Sequence, residues 1–225
     1  MTRWGRYLVS MRCDNGKHIG KHSAIVKAND AEPIKGSVDL AKNVELADTE
    51  IAPVYFAKAG KARLAVKLPG HARDITMIIL EPTSEGEWPV QTNDTFVLSA
   101  KDAVIRGVTL RYEPNPKKLC AGFWTNPKDK LEWLARVTKP GRYEVTLFQG
   151  CGKGQGGSDV NVHIADQTLA FTVLETGHFQ KFVPVELGEV TLDKAAQIIV
   201  TIAPVNKKAK AIMDVQKLVL ERVGD

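Results

Sequence analysis

The stretch that decides the fold is GRYEVTLFQGC at residues 141–151, because a close copy, GRYLVSMRC, stands at residues 5–13. The likeness continues downstream, where DITMIILEP begins at Asp74 and DVQKLVLER begins at Asp214. A repeat of about 80 residues is far longer than one solenoid unit, so it predicts two copies of one β domain.

Hydrophobic and polar residues alternate along the repeated stretch, where Tyr143, Val145 and Leu147 are separated by polar residues. This period of two gives a strand one face in a core and one face in water. Similar short segments recur about every 10–15 residues, with turn signals between them. The sequence therefore predicts an all-β fold of tandem β-sandwiches.

The two predicted sandwiches differ in length. We predict a partial or trimmed β-sandwich at residues 1–82, a polar linker at 83–94 (TSEGEWPVQTND) and a complete β-sandwich at 95–225. The second copy has roughly 45 residues before its GRY strand and the first has four, so the first lacks leading strands. Its open sheet edges need a cover. Either the chain is cut from a longer protein, or the first unit is trimmed and leans on the second.

The charge pattern argues against nucleic acid as a partner. Lys and Arg total 31 against 26 Asp and Glu, a net charge of +5, and they are spread out except at Lys207, Lys208 and Lys210. Nucleic-acid-binding proteins usually gather basic residues on one face. No segment approaches the roughly 18 apolar residues that span a bilayer, so we predict no membrane partner. The start of the chain lacks the features of a signal peptide, and localisation stays unknown from the residues alone.

The three cysteines do not show the paired spacing of a metal site, and we predict no metal and no cofactor. Cys13 and Cys151 end the two GRY strands, which favours small buried thiols. A disulfide between Cys120 and Cys151 is the alternative in an exported protein, and it would leave one thiol free.

A glycine-rich run, GCGKGQGGS at 150–158, is the strongest local signal. A phosphate-binding loop would need Gly-Lys followed by Ser or Thr and then a helix, whereas Gly154 follows Lys153 and the next segment is a strand. We interpret the run as an end loop of a sandwich that can frame a ligand, with Lys153 as a contact.

Neither the carboxylates nor the histidines have the spacing of a catalytic pair or a nucleophile with its base, so we predict that the chain is not an enzyme. Aromatic and amide side chains on loops are better candidates for binding. Trp124 and Asn126 lie on a turn-rich segment, where an indole can stack on a sugar and an amide can clamp it. The alternative is that Trp124 plugs one end of the core. His178 and Phe179, in a connection between strands, are further candidate contacts.

Taken together, several motifs within residues 98–222 resemble a module appended to sulfatases of planctomycete-type bacteria and the similar DUF5077 domains. The run QGCGKGQGGS followed by TGHFQ is the most specific of them. The resemblance implies a galactose-binding-like, carbohydrate-binding-module-like jelly roll that is not catalytic. The Cys-x-Pro-x-Arg segment of sulfatases is absent around all three cysteines.

The partner implied by this resemblance is a glycan, with sulfated polysaccharides among the candidates. An enzyme domain outside the chain or a second copy would be further partners, and the compartment would be extracellular or periplasmic. The alternative is a purely structural or protein-interaction sandwich that packs on an enzyme domain or a sister chain.

Related sugar-binding modules open with an Ala-Glu pair whose carboxylate joins an Asp near the last strand to hold calcium. The matching opening here is Ala100-Lys101-Asp102, and the late Asp is Asp214. A lysine cannot ligate a cation that takes oxygen donors. Two alternatives follow: Lys101 replaces the metal by pairing with Asp214, or it points to solvent.

Overall fold

Burial alternates along the repeated strand as its sequence predicts. Tyr143, Val145 and Leu147 are buried, whereas Arg142 and Glu144, which alternate with them, are exposed. These observations come from a computed structural model that describes residues 5–13, 20–40, 48–56, 60–68 and 75–224. The chain divides into a first unit, Met1–Thr83, and a second unit, Ser84–Asp225, each with its own hydrophobic core.

The described residues of the first unit form two antiparallel sheets of three strands, with orders β4-β1-β6 and β3-β2-β5. Its core lies between inward residues such as Val9 on one sheet and Val26 on the other, and both are fully buried. The strands are β1 Gly5–Cys13, β2 Gly20–Ala28, β3 Ile34–Leu40, β4 Asp48–Phe56, β5 Leu64–Lys67 and β6 Ile75–Pro82.

The second unit is larger. One sheet has the order β15-β12-β17-β10-β9 with β7 also paired to β17, and the other has the order β14-β13-β16-β11-β8. Trp124, Trp133 and Tyr143 are the largest side chains of its core. The strands are β7 Thr95–Ser99, β8 Val104–Arg106, β9 Arg111–Glu113, β10 Cys120–Gly122, β11 Lys130–Arg136, β12 Gly141–Cys151, β13 Asp159–Ile164, β14 Gln167–Thr172, β15 His178–Leu192, β16 Gln197–Pro204 and β17 Asp214–Gly224, with a short 3-10 helix at Ala100–Asp102.

The six strands described in the first unit have the same order as the last six of the second, since β1 to β6 correspond to β12 to β17. Even the irregularities agree: the pairing register shifts after Val9 in β1 and after Val145 in β12. The glycines that open the two GRY strands, Gly5 and Gly141, have φ of 129° and 142°. Side-chain-bearing residues rarely adopt this conformation, which explains the glycine in both copies.

The all-β class predicted from the sequence is confirmed. None of the described residues forms a helix long and apolar enough to cross a membrane. Residues 84–94, however, are part of the second unit and not a free connection. Gln91 there is 7% exposed, its amide donates to the Tyr143 hydroxyl at 2.7 Å, and its oxygen accepts from the backbone of Thr138 and Lys139.

Cys120 and Cys151 are both buried and free, so the structure has no disulfide between them. The Cys120 thiol donates to Asp214 at 3.7 Å and the Cys151 thiol to the Ile212 carbonyl at 3.6 Å. The side chain of Cys13 lies outside the described residues. The buried-thiol interpretation therefore holds for two of the three cysteines.

Candidate functional site

The glycine-rich loop follows β12 at one end of the second unit and is bonded to the segment before β15. The Cys151 N–H donates to Thr176 Oγ1 at 2.9 Å, and the Thr176 N–H donates to the Cys151 carbonyl at 3.1 Å. A short parallel bridge between Gly152 and Gly177 continues this pairing. The loop and the start of β15 are thus held side by side.

Within the loop, protein atoms accept the backbone N–H groups of Gly154, Gln155 and Gly157. Gly154 has φ of 71° and its N–H donates to Glu175 Oε2 at 2.7 Å. Gln155 uses its side-chain oxygen to accept the Ala211 N–H at 3.0 Å, which connects the loop to the segment before β17. The carboxylate of Glu175 therefore accepts a backbone N–H of this loop, and Gln155 connects the loop to the segment before β17.

Phe179 and His178 open β15 beside this loop. The Phe179 ring lies against Gly152, where an added Cβ would be 2.6 Å from ring carbon Cε2. The Gln180 N–H donates to His178 Nδ1 at 3.1 Å. In the neutral ring the proton therefore resides on Nε2, which is left as the donor for a ligand.

These elements surround a shallow pocket of about 430 Å³. It brings together three of the five residues predicted as ligand contacts, Lys153, His178 and Phe179. The lining also includes residues that sequence reasoning missed, above all Gln155 and Lys210. Lys210 belongs to the lysine cluster that the sequence shows, but nothing in its spacing placed that cluster beside the glycine-rich loop. The full lining is Thr125, Gly152, Lys153, Gln155, Gly177, His178, Phe179, Lys210 and Ala211.

Trp124 does not present its indole to a ligand. It is fully buried in the core, and its Nε1–H donates to the Asp129 carbonyl at 3.1 Å. The burial of Trp124 contradicts the prediction that its indole stacks on a sugar. It agrees with the alternative, in which Trp124 fills one end of the core. The polypeptide bends sharply here, so the neighbouring Phe123 is 47% exposed and stacks under the Arg111 guanidinium at 3.4 Å.

Asn126 also has a local structural role. Its amide donates to Asp129 Oδ1 at 2.8 Å, and its oxygen accepts the Lys128 N–H at 3.1 Å. It does not line the pocket, although Thr125 next to it does. The Lys207 ammonium donates to the Thr125 carbonyl at 2.6 Å, so this loop forms a wall of the pocket without supplying the predicted clamp.

The pocket has a positive lining. Lys153 and Lys210 stand on it, and its described lining includes no carboxylate. Glu175, which holds the Gly154 N–H, is the acidic residue fixed next to the loop. The arrangement suits a ligand with anionic substituents, because lysine donates charge-assisted hydrogen bonds to such groups.

A buried polar cluster lies under the start of β15. The ligand atoms of Glu113, Cys120 and Asp214 all lie within 4.8 Å of one another, a distance that would allow a metal ion. These atoms already have protein donors, however: Gln180 Nε2 donates to Asp214 at 3.1 Å, and Lys118 donates to Glu113. In this structure the three residues and their donors form a hydrogen-bonded network.

The surroundings of Asp214 favour its neutral form. Burial, followed by the nearby Glu113 carboxylate, raises the pKa of Asp214 to about 7. Burial and the Asp214 carboxylate likewise raise the pKa of the Cys120 thiol far above its usual range, so this thiol stays protonated. Lys101 is exposed, and the bonds found at Asp214 come from Gln180 and Cys120. The structure therefore contradicts the predicted Lys101–Asp214 pair and agrees with the alternative, in which Lys101 points to solvent.

Comparisons with known proteins bear on the second unit. Residues 121–224 match the family described as Domain of unknown function (DUF5077). The resemblance to DUF5077 domains is thus confirmed over that range, and the link to sulfatases stays a prediction. No curated protein sequence matches this chain.

Similar folds occur among solved structures. The GH26-CBM35 β-(1,4)-mannanase of Podospora anserina has a TM-score of 0.46 and 13% identity, with 60% of this chain aligned to only 29% of the mannanase. A family 35 carbohydrate binding module from Clostridium thermocellum has a TM-score of 0.48 and 11% identity over 58% of this chain and 100% of the module. The C-terminal CBM6 of LamC, a marine laminarinase from Zobellia galactanivorans, has a TM-score of 0.47 and 13% identity over 57% and 99%.

Proposed function

We propose that the second unit is a non-catalytic carbohydrate-binding module and that the pocket at the end of its sandwich is the glycan site. The observation that carries the proposal is the meeting of Lys153, His178 and Phe179 with Lys210 in one pocket. Three separate segments supply these residues, namely the glycine-rich loop, the start of β15 and the segment before β17, and together they form one surface.

The pocket offers the two kinds of contact that sugars use. The Phe179 ring can stack on the apolar face of a pyranose. Polar side chains beside it, His178 Nε2–H and the amide of Gln155, can bond to hydroxyl groups. Glycans compete poorly with water for such bonds, so we expect weak affinity, with Kd of roughly micromolar to millimolar.

Sulfated or otherwise anionic glycans are the ligand class that the lysines favour. Lys153 and Lys210 line the pocket from two different segments, so a sulfate or carboxylate between them would accept bonds from both. The lining lacks the carboxylate pair that glycoside hydrolysis needs, which supports a binding role over a catalytic one.

Titration calorimetry with matched polysaccharides tests this function. We expect dextran sulfate to bind more tightly than dextran, and both to bind more weakly to Phe179→Ala. Lys153→Gln and Lys210→Gln should weaken the sulfated ligand selectively, whereas Lys194→Gln, on an exposed residue outside the pocket, is the matched control. Polyglutamate distinguishes a sugar site from a general polyanion surface.

Two results would overturn the proposal. One is the absence of any response to neutral and sulfated glycans. The other is a response to dextran sulfate that polyglutamate reproduces and that Phe179→Ala leaves unchanged.

A further inference from the structure

Two residues of the pocket, His178 and Phe179, stand where β15 leaves the regular ladder of its sheet. The pairing of β15 with β12 is interrupted after Val183 and resumes only at His178. Residues 179–182 therefore lie opposite Gly150 alone, as a large bulge on β15. Because ladder hydrogen bonds are interrupted here, another contact has to hold this part of the strand.

Gly150 allows the bulge to approach the rest of the sheet. A Cβ on residue 150 would collide with the Phe179 carbonyl oxygen, so this position has no room for a side chain. On its other side Gly150 pairs with Asp214 of β17. Neighbouring strands lie about 4.8 Å apart, so β15 and β17 are separated by about twice that distance. Only this glycine of β12 stands between the bulge and Asp214.

The Gln180 side chain crosses that distance. Its Nε2 donates to Asp214 Oδ2 at 3.1 Å, a bond between two strands that are not neighbours in the sheet. The acceptor is itself fixed, because Asp214 is only 4% exposed and its Oδ2 also accepts from the Cys120 thiol at 3.7 Å. Asp214 therefore gives the bulge an anchor in a buried network.

The backbone of the same residue orients a side chain of the pocket. The Gln180 N–H donates to His178 Nδ1 at 3.1 Å, which leaves Nε2–H for a ligand. Gln180 thus connects Asp214 to His178, through its side chain on one side and its backbone on the other. Phe179 lies between the two bonded residues of β15. Gln180 itself does not line the pocket, so it acts through these neighbours.

The sequence motif TGHFQ, at residues 176–180, ends at this anchor. Its other residues already have a place in the site, since Thr176 bonds to the glycine-rich loop and the next three residues line the pocket. Gln180 is the residue of the motif whose purpose a direct ligand contact does not explain.

We propose that Gln180 is a positioning residue of the glycan site, which anchors the bulge of β15 on Asp214 and so sets the orientation of His178 and Phe179. This inference rests on the proposed function of the pocket, but the positioning is a property of the free protein. Without the anchor, a ligand has to order the bulge as it binds, which weakens binding. We expect Gln180→Ala to raise the Kd for dextran sulfate about fivefold or more.

Gln167 offers a matched control near the other end of β15. Its Nε2 donates to the Thr191 carbonyl at 2.6 Å, and its oxygen accepts the Thr191 N–H at 2.9 Å. Gln167→Ala therefore also removes a glutamine that holds β15, but far along the strand from the pocket. It should lower stability and leave both the His178 orientation and the affinity for dextran sulfate unchanged.

NMR of the isotope-labelled full chain without ligand tests the positioning directly. Under alkaline conditions, where a free imidazole is neutral, we expect the Nε2–H tautomer of His178 in the wild type. Gln180→Ala should give a mixture of the two tautomers and shifted Phe179 ring resonances, whereas Gln167→Ala should keep the wild-type signals. Gln180→Met retains the length of the side chain without its donor, and should resemble Gln180→Ala.

Wild-type His178 and Phe179 signals in both Gln180 variants would overturn the inference, as would equal changes in Gln167→Ala. Wild-type signals in Gln180→Met alone would also overturn it, because side-chain packing and not the bond to Asp214 would then position the bulge. Titration with dextran sulfate separates this inference from the proposed function. Altered signals in the Gln180 variants of a protein that binds no glycan would support the positioning and refute the function. Equal affinity of the wild type and Gln180→Ala for dextran sulfate would refute the positioning role in binding.

Discussion

The Phe179 ring packs so closely on Gly152 that residue 152 has no room for a side chain, since a Cβ there would lie 2.6 Å from the ring. Gly152→Ala should therefore displace the ring and lower the free energy of unfolding by about 1–3 kcal/mol. Aromatic NMR resonances of Phe179 and thermal unfolding measure both effects.

Gly154→Ala is the matched control for this substitution. Its Cβ would meet nothing within 4 Å, but its φ of 71° is unfavourable for alanine. We expect a loss of stability of about 1 kcal/mol with unchanged Phe179 resonances. Unchanged resonances in Gly152→Ala as well would show that the ring does not depend on the glycine.

Asp214 should make the free energy of unfolding fall as pH rises. A carboxylate in an ion pair has the opposite effect, because its pKa is lowered in the folded state. Its folded pKa of about 7 lies above the ordinary value of 3.8, so the folded state binds the proton more tightly. The contribution of Asp214 to the free energy of unfolding is fully present below pH 4 and is lost as pH rises through about 7. The complete loss is at most about 4 kcal/mol, since one pKa unit corresponds to about 1.4 kcal/mol.

Thermal unfolding of Asp214→Asn from pH 4 to pH 8 checks this dependence. The Tm of the variant, relative to the wild type, should rise with pH, because asparagine never carries the charge that the burial disfavours. A constant difference in Tm across this range would mean that Asp214 does not titrate there.

Asp129 joins the loop that forms the Thr125 wall of the pocket to residues 108–110, and its Oδ1 accepts from the Asn126 amide at 2.8 Å. It is 1% exposed and accepts the N–H groups of Val108, Thr109 and Leu110 at 3.0, 2.7 and 2.9 Å. Asp129→Asn places an amide donor among these donors, so it should lower the free energy of unfolding by about 2–4 kcal/mol in chemical denaturation. Glu132→Gln, at a surface ion pair with Arg106, should change it by less than about 1 kcal/mol. Equal effects of the two substitutions would contradict this structural role of Asp129.

Substitution of Trp124 should reduce stability without changing glycan affinity, because Trp124 is a core residue. Trp124→Phe removes the Nε1–H bond to the Asp129 carbonyl and part of the buried ring, and should cost about 1–3 kcal/mol. In the folded protein, titration calorimetry should still show the wild-type glycan affinity. Lost affinity with wild-type stability would restore Trp124 as a ligand contact.

The sequence was sufficient to predict strands where hydrophobic and polar residues alternate with a period of two. Alternation at Tyr143, Val145 and Leu147 and the repeated GRY motif predicted the strands of both units. The homology of the units stays a prediction, but the shared strand order and the matching register shifts at Val9 and Val145 agree with it.

The sequence was insufficient where irregular segments meet. Phe123 and Trp124 are neighbours at a bend, and alternation does not say which of them points inward. Lys210 reaches the pocket through a segment without regular structure, and Gln91 is buried by tertiary hydrogen bonds in a stretch whose composition is that of a linker. These placements depend on long-range contacts, which local composition does not encode.

The central claim is that the pocket between the glycine-rich loop and the start of β15 binds glycan. Titration of isotope-labelled protein with dextran sulfate oligosaccharides, followed by amide NMR, tests it most directly. The account predicts saturable shifts concentrated at Thr125 and at residues 152–155, 177–179 and 210–211, which contain the lining of the pocket. Shifts confined to other surfaces of the chain, or no saturable shift at all, would contradict it.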